Sequence, residues 1–215
     1  MFGSIAFPRL PRHLLPLGLL GALAIAVLPT ASAKAALIST DACDNATLSQ
    51  PFLQFNDSNS YKLVPGGDFE GSLSGWNLTG RATRVSGSEP FGVTGTVGKS
   101  SIYLPAGASV QSPYTCVDAA YPTFRFVGRN NGLLSIVAVS IVYKEPLLGA
   151  VAVPVGTVAL TGSWAPSAQM LTLSAVQGIV NGLLTGKTPQ VALRFTAVTG
   201  SSQIDDVFVD PHVMR

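Results

Sequence analysis

From residue 61 onward the chain is a succession of short apolar segments broken by Gly, Pro, Ser and Asn. Segments this short, with turn residues between them, cannot build helices of ordinary length; they read as the strands of an all-β sandwich or barrel. Two segments alternate cleanly. In 123–127 (TFRFV), Phe124 and Phe126 share one side and Arg125 takes the other; in 191–196 (VALRFT), Val191, Leu193 and Phe195 oppose Arg194. Period-two patterning of this kind is a half-buried antiparallel strand. Residues 133–143 are apolar on both faces and β-branched, which suits a central strand. Further strands are expected at 61–64, 81–85, 101–104, 109–112, 155–160, 169–174 and 203–209. The set amounts to about ten antiparallel strands, the size of a double-sheet jelly roll. Residues 147–160 carry Pro154 and read as a hairpin. In 174–184, Val176, Val180 and Leu184 have helical spacing, and the segment is either a short surface helix or a loop.

The first 33 residues have a different character. Arg9, Arg12 and His13 precede an apolar run, 14–28, that ends at Pro29-Thr30-Ala31-Ser32-Ala33. A basic start, a short apolar stretch and a small-x-small end form the pattern of a cleaved signal peptide. The run is shorter than the ~20 residues that span a bilayer. Cleavage after Ala33, with Ala35 as the second choice and an uncleaved membrane anchor as the alternative, leaves a polar arm, 34–60, and a sandwich domain, 61–211. The protein is then expected to be secreted, touching membrane only during export. Removing Arg9 and Arg12 from thirteen basic residues leaves eleven against eleven acidic ones. No basic stripe with interleaved aromatics remains, so nucleic acid is not an expected partner. The two cysteines, Cys43 and Cys116, read as one disulfide in an exported chain, with two buried thiols as the alternative. A bridge over that separation would stabilise by about 4 kcal/mol in the chain-entropy model.

Two stretches then stand out together: Pro65-Gly66-Gly67-Asp68-Phe69-Glu70-Gly71 leading to Gly75-Trp76, and Ile204-Asp205-Asp206-Val207 near the end. The pair resembles the galactose-binding-like jelly rolls, which include carbohydrate-binding modules of xylanases and glucanases. The chain from 43 to 211 also resembles a group of uncharacterised secreted proteins of soil bacteria. The residues concerned are Cys43, Gln50-Pro51-Phe52, the 112–117 segment and the 191–195 strand. The resemblance implies that the first and last strands of the sandwich are neighbours, which gathers carboxylates at one sheet edge. Such a gathering is costly unless a cation or basic group neutralises it. By resemblance a structural Ca²⁺ sits there, with Glu70 and Asp206 as ligands and Asp68 and Asp205 behind them. Oxygen donors of this kind are what Ca²⁺ takes. The other reading is that these acids cap turns or pair with Arg125, Arg194 or Lys62.

Ligand-binding candidates are Trp164, in a loop before Ala165-Pro166, Arg125 and Arg194 on the polar faces of their strands, and Tyr143. Tyr103 and Tyr114 are further aromatic options, and the two arginines form cross-strand pairs in the alternative reading. Trp76 is expected in the core. The body of the chain has one histidine, His212, close to its end, with no His pair, CxxC or HExxH, so neither a triad nor zinc chemistry finds its residues. The expectation is an exported non-catalytic module whose partner is a glycan or cell-envelope polymer. The alternatives are a structural or protein-interaction domain, and a hydrolase using paired carboxylates.

Overall fold

The computed structural model describes residues 47–117, 123–145, 149–171 and 190–210. All of them fall within one compact unit, Ile38–Arg215. The expected signal segment 1–33, Cys43, the 174–184 segment and His212 lie outside the described residues. The architecture is a sandwich of two antiparallel sheets. In chain order the strands are β1 Lys62–Leu63, β2 Asn77–Thr79, β3 Thr83–Ser86, β4 Ser100–Leu104, β5 Ser109–Gln111, β6 Thr115–Cys116 and β7 Thr123–Asn130. They continue with β8 Ser135–Glu145, β9 Gly149–Leu160, β10 Ala165–Pro166, β11 Met170–Leu171, β12 Gln190–Thr199 and β13 Ser202–Asp210. The first sheet runs β10-β7-β13-β4-β3, with β1 on β13 and β11 on β7; the second runs β2-β5-β12-β8-β9, with β6 on β12.

The alternation read from the sequence is what builds the core. Phe124 and Phe126 of β7 meet Val191, Leu193 and Phe195 of β12 between the sheets, with Phe126 and Phe195 in edge contact at 5.0 Å. Fully burying side chains of this size contributes about 1.5–3 kcal/mol each. Trp76 belongs to this core as expected, its ring against Phe69 and its indole N–H donating to the Pro65 carbonyl at 2.9 Å. β8 begins two residues later than the pattern suggested. Leu133 and Leu134 are exposed in the turn before it, where burial-based periodicity gave no stop signal. β9 is longer than expected, because Pro154 is accommodated at a register shift opposite Val139 and Ser140. β2, β6 and β10 are two- and three-residue pairings too short to show in a pattern.

β13 is the hub of the first sheet. β7 pairs along its whole length, while β4 takes its first half and β1 its second half. The first and last strands of the described residues are therefore neighbours, with Leu63 opposite Phe208. Between the two halves the register shifts at Asp205/Phe208, and Asp206 adopts a left-handed φ of 46°. The extra residue keeps Ile204, Val207 and Val209 all facing the inter-sheet core and spares Asp206 from pointing there. Gly67 closes the junction: its carbonyl accepts from Val207 N at 3.1 Å, and a Cβ on it would stand 2.8 Å from the Val207 carbonyl oxygen.

A second, smaller core covers the far face of the first sheet. Phe52 from the arm, Tyr61 just before β1, Val93 from the 87–99 loop, and Val127 and Phe208 from the sheet are all buried together. The two sheets therefore differ. β13 is buried at every position, whereas on the outer face of the second sheet β9 is largely exposed and Ala138, Ser140, Arg194 and Thr196 are partly exposed, with Val142 and Ala192 buried.

Candidate functional site

Three places carry polar or aromatic side chains in organised arrangements: the acid junction at β13, the arm clasp on β7, and the open face of the second sheet.

At the junction, Asp205 is fully buried. Its carboxylate accepts from Ser88 Oγ at 2.7 Å, from Glu89 N at 3.0 Å and from Asp206 N at 3.0 Å. Glu89, also fully buried, accepts from Val93 N at 3.0 Å and from Phe91 N, which folds the 87–99 loop onto the sheet. Burial pushes Asp205 up to about 7, against the opposing pull of its hydrogen bonds. Burial, the neighbouring Asp205 charge and the Glu89 carboxyl beside it push Asp206 up to about 9, and Asp68 adds to the same effect. The junction therefore holds protons that an exposed aspartate would have lost.

The sequence expected Glu70, Asp68, Asp205 and Asp206 to share one cation. The structure brings Asp68, Asp205 and Asp206 to the junction but commits Glu70 elsewhere. Its Oε1 accepts from Lys99 N at 2.6 Å and Ser100 N at 2.7 Å, tying the turn after β1 to the start of β4. Oxygen-only, anionic donors match Ca²⁺ in chemistry. Among the described residues, however, no three His, Cys, Asp or Glu side chains are grouped so as to hold an ion. Glu89 is the acid that sequence reasoning missed; a lone Glu in a Gly-Ser-Pro loop carries no periodic signal that it is buried.

Arg125, expected on a ligand surface, is instead a clasp. Its Nη1 reaches Asp57 Oδ2 at 2.6 Å, its Nε and Nη2 donate to the Ser167 carbonyl at 2.9 and 2.7 Å, and its guanidinium lies 4.4 Å over the Phe52 ring. Burial raises Asp57, but hydrogen bonds from Tyr61 and Arg125 outweigh it and hold the carboxyl below its usual range. All of Arg125's reach is committed to the arm and β10–β11 connection, because the arm covers this face. Tyr143 is likewise not on a surface: it is buried on the face of β8 that carries Val139 and Ile141. Cys116 is buried and no described cysteine is free.

Arg194 is where the sequence put it, facing outward between Leu193 and Phe195. It sits in a cross-sheet row: Asn77 of β2 opposite Gln111 of β5, Gln111 opposite Arg194, and Arg194 opposite Ser140 of β8. Arg194 Nε and Nη2 donate to Gln111 Oε1 at 3.1 and 2.7 Å. One row along, Thr79 and Ser109 share a hydroxyl hydrogen bond at 2.7 Å, and Thr196 lies opposite Ser109. Beside Arg194 stands the half-buried ring of Tyr114, with Lys144 Nζ 4.5 Å from its centroid. Burial raises the Tyr114 hydroxyl and the nearby Arg194 charge opposes that. At about 4.8 Å per strand the row spans about 14 Å. Its residues lie in four different strands, so only the pairing register assembles it. Trp164, the remaining candidate, lies on the other sheet, partly exposed, with the Arg129 guanidinium 5.0 Å above its ring.

No family model matches this chain, and no curated protein matches it. Among solved structures, the chain is similar to the CBM22-1–GH10 modules of Clostridium thermocellum xylanase 10B complexed with xylohexaose, at 14% identity and a TM-score of 0.47, covering 67% of this chain and 27% of that one. It is similar to the CBM22-1 xylan-binding domain of Paenibacillus barcinonensis Xyn10C, at 10% identity and a TM-score of 0.45, covering 67% and 90%. It is similar also to TmCBM61 in complex with β-1,4-galactotriose, at 13% identity and a TM-score of 0.39, covering 68% and 96%. The chain spans about a quarter of the length of the first of these. What the fold and the surface define on their own is a two-sheet β-sandwich, its first sheet covered on the outside over the Val127–Phe208 region by the arm and the 87–99 loop and its second sheet more exposed.

Proposed function

We propose that the protein is an exported, non-catalytic binding module whose open second-sheet face takes a neutral glycan. The observation that carries this reading is the row Asn77–Gln111–Arg194–Ser140 with the Tyr114 ring at its side. Amide, guanidinium and hydroxyl groups at strand spacing suit the repeated hydroxyls of a sugar chain, and a partly exposed Tyr offers a ring face for a pyranose. The hydrolase alternative finds less support. Glu70 is tied to backbone N–H groups, and Asp205, Asp206 and Glu89 are buried away from solvent. Among the described residues no helix is long and apolar enough to cross a membrane. A glycan array on the purified protein tests the reading. Neutral oligosaccharides should be retained, and Tyr114→Ala combined with Arg194→Gln should lower affinity by about tenfold or more. Silence across the array, or retention unchanged in the double variant, removes it.

Two further parts of the proposal concern processing and ions. Cleavage after Ala33 and a Cys43–Cys116 bridge would fasten the arm to the body, complementing the Asp57–Arg125 clasp. The mass of the secreted product reads both: it should begin at Lys34 and lie about 2 Da below the reduced form, and an intact Met1 or two reactive thiols would contradict it. A structural Ca²⁺ is proposed at the junction, with Asp206 and Asp68 as its ligands and without Glu70.

A structural or protein-interaction role is favoured by one observation, the uncharged twelve-residue edge strand β9, whose outward residues are exposed. Edges of this kind pair readily with another chain. A second copy or another protein bound at β9, together with silence on the array, would make this the better reading.

A further inference from the structure

We propose a second ligand site on the first sheet, centred on Arg129, that takes a sugar bearing a carboxylate, a uronate. It does not rest on the reading of the second sheet. The arm and the 87–99 loop cover the first sheet over Arg125, Val127, Asp205 and Phe208, with Trp164 packed at the margin of that cover. In the adjoining outward row Arg129 and Tyr103 are partly exposed with Gln203 buried between them, and the members are directly paired: Arg129 of β7 opposite Gln203 of β13, and Gln203 opposite Tyr103 of β4. Arg129 Nε donates to Gln203 Oε1 at 2.5 Å, and its guanidinium stacks over Trp164 at 5.0 Å. Both contacts fix the plane of the guanidinium. They leave its two terminal nitrogens without an acceptor among the described residues, and Arg129 makes no ion pair there.

A guanidinium held flat, with a free pair of parallel N–H donors and no neutralising acid, is matched by a planar carboxylate accepting both. The flanking groups say what carries that carboxylate. Trp164 and Tyr103 are each partly exposed, one on either side of Arg129 along the row, with Tyr103 two strands and so about 10 Å away. Aromatic faces at that spacing favour ring-shaped partners with apolar C–H faces over a bare phosphate or an extended peptide. A uronic acid within an oligosaccharide supplies both the ring and the charge. Trp164 and Tyr103 are aromatic candidates in the sequence, but Arg129 and Gln203 come beside them only through strand register.

Calorimetric titration of the purified protein with α-1,4-tetragalacturonate at low salt, and with the same oligomer methyl-esterified, tests the site. The acid form should bind, and the ester should bind at least about tenfold more weakly. Arg129→Gln should lose about tenfold or more in affinity for the acid form, and Arg129→Lys, which keeps the charge but not the fork, should fail to restore it. Circular dichroism checks that both variants are folded. Equal affinity for acid and ester, affinity unchanged in Arg129→Gln, or no binding of the acid form would each overturn the proposal. A neutral oligosaccharide retained on the array should not displace the uronate; displacement would place both on one surface and also count against it. Uronate binding that survives a silent array would sustain this site while removing the second-sheet reading.

Discussion

Arg125→Leu should destabilise the protein by about 3–5 kcal/mol, the cost of stranding one member of a buried ion pair. For a domain of this size that is a fall in Tm of about 6–20 °C. The substitution removes more than a charge. Asp57 would keep the hydrogen bonds from Tyr61 Oη at 2.7 Å and Asn59 N at 3.1 Å, yet lose the cation that holds its carboxyl below the usual range. Phe52 would lose the guanidinium over its ring, and the Ser167 carbonyl would lose two donors. Both partners are well shielded, at 10% and 14% side-chain exposure, so solvent screening relieves little of this. Asp57→Ala with Arg125→Leu together should cost less than the sum of the two single changes, because they share one interaction. Thermal melts of the four proteins decide the matter. A loss below about 1 kcal/mol for Arg125→Leu would mean that the arm is not held by this contact.

The second large effect lies at the acid junction. An aspartate in the unfolded chain titrates near 3.8, while Asp205 and Asp206 in the folded protein are raised to about 7 and about 9. The folded state therefore binds more protons than the unfolded state between those limits, and stability falls as pH rises from about 4 toward 9. Asp206→Asn removes one of these sites while keeping its shape. It should flatten the decline and stabilise the protein at pH 8 by at least the ~1.4 kcal/mol that a single pKa unit represents. Calcium is the natural competitor of the proton here. At pH 8, millimolar Ca²⁺ should raise the wild-type Tm and EDTA should reverse the gain, with no such response in Asp206→Asn. A flat pH profile in the absence of divalent ions would contradict the account of the buried acids. A Tm indifferent to Ca²⁺ and EDTA would remove the ion while leaving the protons.

The sandwich was legible because several strands turn an alternating apolar face to the core. Phe124/Phe126 and Val191/Leu193/Phe195 alternate in the sequence and meet in the core. The contact between the first and last strands was legible from the two acidic motifs that flank it. What the sequence did not show were features created by register and covering. Arg125 looks like any polar-face arginine until the arm folds over it, and Glu89 looks like any loop acid until the 87–99 loop closes. Glu70 and Asp206 sit in motifs that suggest one shared site, but backbone N–H groups claim the first. The rows that include Arg194 and Arg129 draw on three or four strands far apart in sequence, and no local pattern encodes which residues stand opposite them.

Chemical-shift mapping locates the bound glycan on the protein surface. With ¹⁵N-labelled protein titrated with the neutral oligosaccharide best retained on the array, the amides of Asn77, Gln111, Tyr114 and Arg194, with Ser140 beside them, should move together and saturate. Those of Phe52, Val93 and Phe208 on the covered face should stay still. Shifts confined to the covered face, or scattered without saturation, would mean that the open sheet is not a glycan-binding surface.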